Sequence, residues 1–149
     1  MPPRPHRQHS RAIVQPRPLV PAPDQPLPAV ELRSPTRHPL IYRKRVARVD
    51  GRARPGDLVA IYAPPWGNSE GEPALMGYGL FNPRSEIAVR VVRFSPELPD
   101  EAYWGRLLDD AVRLRRELLR LDEVTDAYRV IHGEAVVCPG WLWIAMATR

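Results

Sequence analysis

Between residues 40 and 94 the chain is cut into short apolar runs by turn-forming residues, and none of these runs reaches the length of an ordinary helix. Leu40-Ile41-Tyr42 opens a strand-like stretch that continues through Arg43-Lys44-Arg45 to Val46-Ala47-Arg48-Val49. Asp50-Gly51 and Arg54-Pro55-Gly56-Asp57 are turn signals. Leu58–Tyr62 reads as a second strand, residues 64–73 as a loop, and Ala74–Phe81 as a third strand. Asn82-Pro83-Arg84-Ser85 turns the chain into a fourth strand, Glu86–Phe94, with Ile87, Val89 and Val91 on one face. Short strands at this spacing predict a small barrel.

The flanking segments differ. Eleven of the 19 prolines fall in residues 1–39. Proline removes amide donors and keeps the preceding residue out of the helical region, so residues 1–36 read as a disordered Pro/Arg-rich arm of polyproline-II character. Its PxxP spacings admit a docking role beside that of a solvated tail. On the C-terminal side, Pro99-Asp100-Glu101 begins a helix. Trp104, Leu107, Leu108, Ala111, Leu114, Leu118 and Leu121 recur along it at helical spacing, and Ala127–His132 reads as a further strand. The fold expected is α+β: a mainly β barrel, one helix and an incomplete α+β unit.

Several chemistries find no support in the pattern. A single cysteine, Cys138, rules out an internal disulfide framework. No run reaches the ~18 apolar residues of a membrane span. No signal peptide is visible, which makes a cytoplasmic protein the expectation. His6, His9, His38 and His132 lack metal-ligand spacing, and no Ser/His/Asp set is brought together by motif. Gly77-Tyr78-Gly79 lacks the spacing of a nucleotide loop and marks a bulge or a close approach of another backbone, whether of the chain or of RNA. No catalytic residue, cofactor or metal is expected.

The charge is more telling. Of the net +5, residues 1–39 carry +4 and the remainder only +1, so local placement decides its meaning. Four cations fall within six residues at Arg43, Lys44, Arg45 and Arg48, with Arg37, His38, Arg52 and Arg54 nearby. Such a cluster is either a solvated edge strand protected by charge or a set of phosphate contacts.

Residues 37–135 resemble one family in order and spacing. His38-Pro39-Leu40-Ile41-Tyr42 stands where that family has His-Pro-Trp-(Ile/Val)-Phe, and Pro55-Gly56-Asp57-Leu58-Val59 matches its Pro-x-x-Gly-Asp-x-Val turn. The strongest match is Gly77-Tyr78-Gly79-Leu80-Phe81-Asn82-Pro83-Arg84-Ser85-Glu86-Ile87-Ala88-Val89-Arg90, against Gly-x-Gly-x-(Tyr/Phe)-Asn-Pro-x-Ser-x-Ile-x-x-Arg. The family is the large-subunit ribosomal RNA cytosine-C5 methyltransferases, S-adenosylmethionine-dependent enzymes that begin with an RNA-binding PUA domain. The resemblance implies a PUA-like domain at 37–95 and the start of an α+β middle domain at 96–135. Leu40 replaces the family's aromatic, and the loop from Ala63 to Pro73 is longer than the family's.

The resemblance ends after Ala135. Deleting one base from a codon string for the family's continuation reproduces Val136–Thr148, so residues 136–149 are expected to be a frameshifted, unrelated tail, with a natural C-terminal strand as the alternative. Cys138 then matches no catalytic position, and the catalytic domain lies outside the chain. The partner implied is RNA, ribosomal in kind, with no DNA specificity and no membrane. The RNA contacts expected are Arg37, His38, Arg43, Lys44, Arg45, Arg48, Asn82, Arg84, Ser85 and Arg90. Alternative readings are an S-adenosylmethionine-dependent methyltransferase active in a separate or read-through product, and a protein-interaction module acting through the arm.

Overall fold

The computed structural model describes residues 18–22, 25–67, 71–132 and 142–146. The first 17 residues, nearly half of the expected arm, lie outside them, as do residues 133–141 with Cys138. The described strands are β1 (Ala29–Leu32), β2 (Leu40–Tyr42), β3 (Val46–Val49), β4 (Leu58–Ala63), β5 (Ala74–Phe81), β6 (Ile87–Arg93), β7 (Ala127–His132) and β8 (Leu142–Met146). Helix α1 spans Glu101–Arg113 and α2 spans Leu121–Val124. The mainly β architecture with one principal helix is that expected from the sequence.

Six strands form one sheet in the order β2-β6-β5-β4-β1-β3. Its curvature follows from connectivity. Strands β2 and β3 occupy opposite edges, yet only Arg43–Arg45, in a 3-10 turn, separate them. A flat six-stranded sheet would hold its edges about 24 Å apart at ~4.8 Å per strand. Four residue steps reach at most ~14 Å, and less in a 3-10 turn. The sheet must therefore curl until its edges meet, with Arg43–Arg45 across the seam. This corrects the single strand expected from Leu40 to Val49: the chain changes edges at the basic cluster.

The curled sheet encloses Val30, Leu32, Ile41, Val59, Ile61, Phe81, Val89 and Val91, all buried. Burying a side chain of this kind contributes ~1.5–3 kcal/mol, so this cluster dominates the stability of the domain. Gly79 faces inward against β6, where an added Cβ would lie 2.6 Å from Val89 Cγ1 and 2.7 Å from the Arg90 carbonyl. The β5–β6 register also shifts between Tyr78 and Gly79. The glycine pair therefore marks both a bulge and a close backbone, and that backbone is the chain's own β6.

The boundary of the arm is corrected. Strand β1 lies inside residues 1–36, pairing parallel with β4 and antiparallel with β3. Just before it, Pro18, Pro21, Pro26, Leu27 and Pro28 lie beside Leu58, and the Pro28 carbonyl accepts the Ala60 N–H at 2.9 Å. Leu27 packs with Leu58, Ala60 and Tyr78, which are buried on β4 and β5 in a second cluster.

Asp100 caps α1, its Oδ1 accepting the Tyr103 N–H at 2.7 Å. The Tyr103 hydroxyl donates to the Val92 carbonyl, and the Tyr78 hydroxyl to the Pro96 carbonyl, fastening the helix start to the barrel. Trp104, Leu107, Leu108 and Ala111 pack against Tyr128, Val130 and Ile131. The expected apolar stripe stops there. The chain passes after Arg113 into a widened turn, Leu114–Leu118, and Leu114 and Leu118 are exposed. Leu142–Met146, within the expected unrelated tail, pair antiparallel with β7 as β8. No described helix is long and apolar enough to cross a membrane.

Candidate nucleic-acid interface

Backbone hydrogen bonds bring three turns together at the seam. The Arg43 N–H donates to the Glu86 carbonyl at 2.7 Å, and Arg43 Nη2 donates to the carbonyls of Pro83 (2.6 Å) and Ser85 (2.9 Å). The Arg33 N–H donates to the Arg45 carbonyl at 2.8 Å, tying the end of β1 to the same turn. The Gly56 N–H donates to the Phe81 carbonyl at 2.8 Å, setting the Arg54–Asp57 turn beside the β5–β6 turn. Gly56 adopts φ 88°, which explains glycine there, and the buried Asp57 carboxylate accepts the Arg54 N–H at 2.9 Å. Five cations sit on these turns: Arg33, Lys44, Arg45, Arg54 and Arg84.

None of those five forms a side-chain ion pair or hydrogen bond with a described residue, whereas six arginines elsewhere have acidic partners. Arg48 pairs with Glu31, its neighbour in the β1–β3 register. Arg52 Nη2 lies 2.7 Å from Asp50 Oδ2, and Arg93 pairs with Glu97. Arg113, Arg116 and Arg120 meet Asp110, Asp122 and Glu123 at 4.0, 3.3 and 3.7 Å. Hydrogen bonding from Arg52 holds the Asp50 carboxyl down to about 2, and Arg48 likewise keeps the Glu31 carboxyl below its ordinary range. Glu86, whose carbonyl accepts the Arg43 N–H, is an exposed acid at the seam.

The expected contact residues divide on this basis. Arg43, Lys44, Arg45, Asn82, Arg84 and Ser85 come together at the seam. Within that group Asn82 Oδ1 accepts the Arg84 N–H and Ser85 Oγ accepts the Ile87 N–H, so both side chains shape the turn. Arg48 is on β3, held by Glu31. Arg90 is half-buried in mid-β6, in register with Leu40 and Leu80. His38 folds back on its own chain, with Nδ1 3.1 Å from the Leu40 N–H donor. Arg37 lies against Trp66, its Cζ 5.4 Å from the ring centroid. Sequence reasoning missed Arg33, which it assigned to the arm, and did not include Arg54 or Trp66. Among the described residues, no group of three His, Cys, Asp or Glu side chains could hold a metal ion.

Residues 30–94 match the family model of the PUA-like domain, and that range runs from β1 to just past β6. Residues 30–94 are a PUA-like domain. Over 105 residues the chain is 37% identical to ribosomal RNA large subunit methyltransferase I of Aliivibrio fischeri, covering 70% of this chain and 24% of that protein. It is 34% identical over 105 residues to the protein of the same name from Escherichia coli. It is 31% identical over 116 residues to a ribosomal RNA large subunit methyltransferase of Deinococcus radiodurans, covering 75% of this chain and 27% of that protein. The chain spans about a quarter of the length of the curated relatives it matches. The PUA-like domain includes β1, so its boundary lies before the residue 37 expected from the motifs.

Proposed function

We propose that the PUA-like domain binds RNA through the cationic seam, with Arg33, Lys44, Arg45, Arg54 and Arg84 contacting phosphates and Arg43 holding the turns in place. The observation that carries this reading is the clustering of charge: five cations without acidic partners among the described residues gather on adjoining turns, while six arginines elsewhere are paired with acids. Phosphate contacts position an RNA without reading its sequence. The relatives' names supply the class of target, large-subunit ribosomal RNA, and with it a cytoplasmic site of action. In this reading the chain contributes binding, and methyl transfer is not assigned to these residues.

The test is fluorescence anisotropy with a ribosomal RNA fragment over a series of salt concentrations, using the full chain and a Lys44→Ala/Arg84→Ala double variant. Each phosphate contact contributes ~0.7–0.9 to the slope of log affinity against log salt. The wild type should show a slope of roughly −3.5 to −4.5, and the variant should lose about 1.5 of it. An unchanged slope in the variant would overturn the assignment of the surface.

A further inference from the structure

We propose that Trp66, backed by Arg37, is a stacking site for one unpaired nucleobase. The inference rests on the RNA-binding reading and adds to it a preference for single strands. Trp66 is 57% exposed, more than Tyr42 and Phe94, the other exposed aromatics among the described residues, at 43% and 46%. An indole this open is not part of a core. It is nevertheless held in place. Pro64 and Pro65 precede it and fix two φ angles, Gly67 follows in a left-handed turn at φ 78°, and the loop returns with Gly71 beside Pro65. The Arg37 guanidinium lies against the ring, which limits how the side chain can turn.

The surroundings select the ligand. A nucleobase presents a flat π face to an indole, while its phosphate is an anion that Arg37 or Arg33 can meet. Arg37 is four residues from Arg33, so the two backbones lie within ~14 Å of each other. A base inside a duplex has both faces covered by its neighbours, and only an unpaired base can reach Trp66.

The experiment compares full-length wild type with Trp66→Ala and Trp66→Phe, using a labelled adenine-rich single-stranded RNA and a blunt RNA duplex of equal length. Base–aromatic stacking predicts that Trp66→Ala weakens single-strand binding roughly 5- to 150-fold. Duplex affinity and salt slope should be unchanged, since no charge is removed, and Trp66→Phe should retain most single-strand affinity. Melting temperatures confirm that both variants are folded. Undiminished single-strand binding by Trp66→Ala, or an equal loss for both RNAs, would overturn the stacking site. If Lys44→Ala/Arg84→Ala still lowers the salt slope in that case, the RNA-binding reading survives alone. Failure of the wild type to bind either RNA overturns both.

Discussion

Arg43 and Lys44 are neighbours in sequence with opposite structural roles, and alanine substitution separates them. Arg43 Nη2 bonds two carbonyls of the β5–β6 turn, while the Lys44 side chain forms no hydrogen bond or ion pair with a described residue. A hydrogen bond from a charged donor contributes ~1.5–3 kcal/mol when shielded, and less when water can replace it. Arg43 is exposed, so losing both bonds should cost about 1–2 kcal/mol. For a domain of this size that lowers Tm by roughly 4–16 °C. Lys44→Ala should stay within ~0.5 kcal/mol of wild type. Its effect belongs instead to binding, a loss of ~0.7–0.9 from the salt slope. Thermal melts followed by circular dichroism, together with anisotropy titrations at several salt concentrations, measure both quantities on both variants. If Arg43→Ala melts with the wild type and loses a contact's worth of slope, then Arg43 is a phosphate ligand and the seam is held by something else.

Gly79→Ala should destabilise the barrel by ~1–3 kcal/mol, because its Cβ would collide with Val89 and the Arg90 carbonyl; a melting temperature equal to wild type would contradict the close packing of β5 on β6. The Asp50 carboxyl, depressed to about 2 by Arg52, contributes stability that is fully present above its ordinary value of 3.8 and is lost as pH falls towards 2. Asp50→Asn should flatten that part of the acid-melting curve, and curves that stay parallel would show that the Arg52 pair does not contribute. Arg120 sits at φ 48°, a left-handed conformation that costs a non-glycine residue ~1–2 kcal/mol, so Arg120→Gly should raise Tm slightly; a lower Tm would mean that its contact with Glu123 outweighs the strain.

Local patterns made the middle of the barrel legible. Strand β5 and strand β7 run as read, and β4 and β6 differ at their ends by a single residue. The misses have physical causes. In β1 only Val30 and Leu32 turn inward, and two apolar positions among prolines carry no visible period. The break at Arg43–Arg45 is imposed by where the two sheet edges meet, a constraint held in pairings tens of residues apart. The basic cluster was visible in the sequence, but Arg33 and Arg54 join it only through the Arg33–Arg45 and Gly56–Phe81 backbone bonds. Trp66 could have been found from its setting, a lone tryptophan between a Pro-Pro pair and a glycine.

The uncompensated charge at the seam has its own consequence for stability. Like charges gathered on adjoining turns repel, and each adds to a cost that water and salt reduce. The fold tolerates this because the side chains are largely exposed and Glu86 offsets part of the field. Without RNA, added salt should screen the repulsion and raise Tm. The same salt weakens the Arg48–Glu31 and Arg52–Asp50 pairs, which pulls Tm the other way. Lys44→Ala/Arg84→Ala removes part of the repulsion and leaves those pairs intact, so the difference between its salt dependence and that of wild type isolates the seam. The wild type should gain more from salt than the variant does. An RNA that neutralises the seam should give a further rise that grows with RNA concentration, because a ligand bound only by the folded state stabilises it by mass action. Identical salt dependence in the two proteins would mean that the five cations stand too far apart to act as one site, and the interface would then have to be sought elsewhere on the barrel.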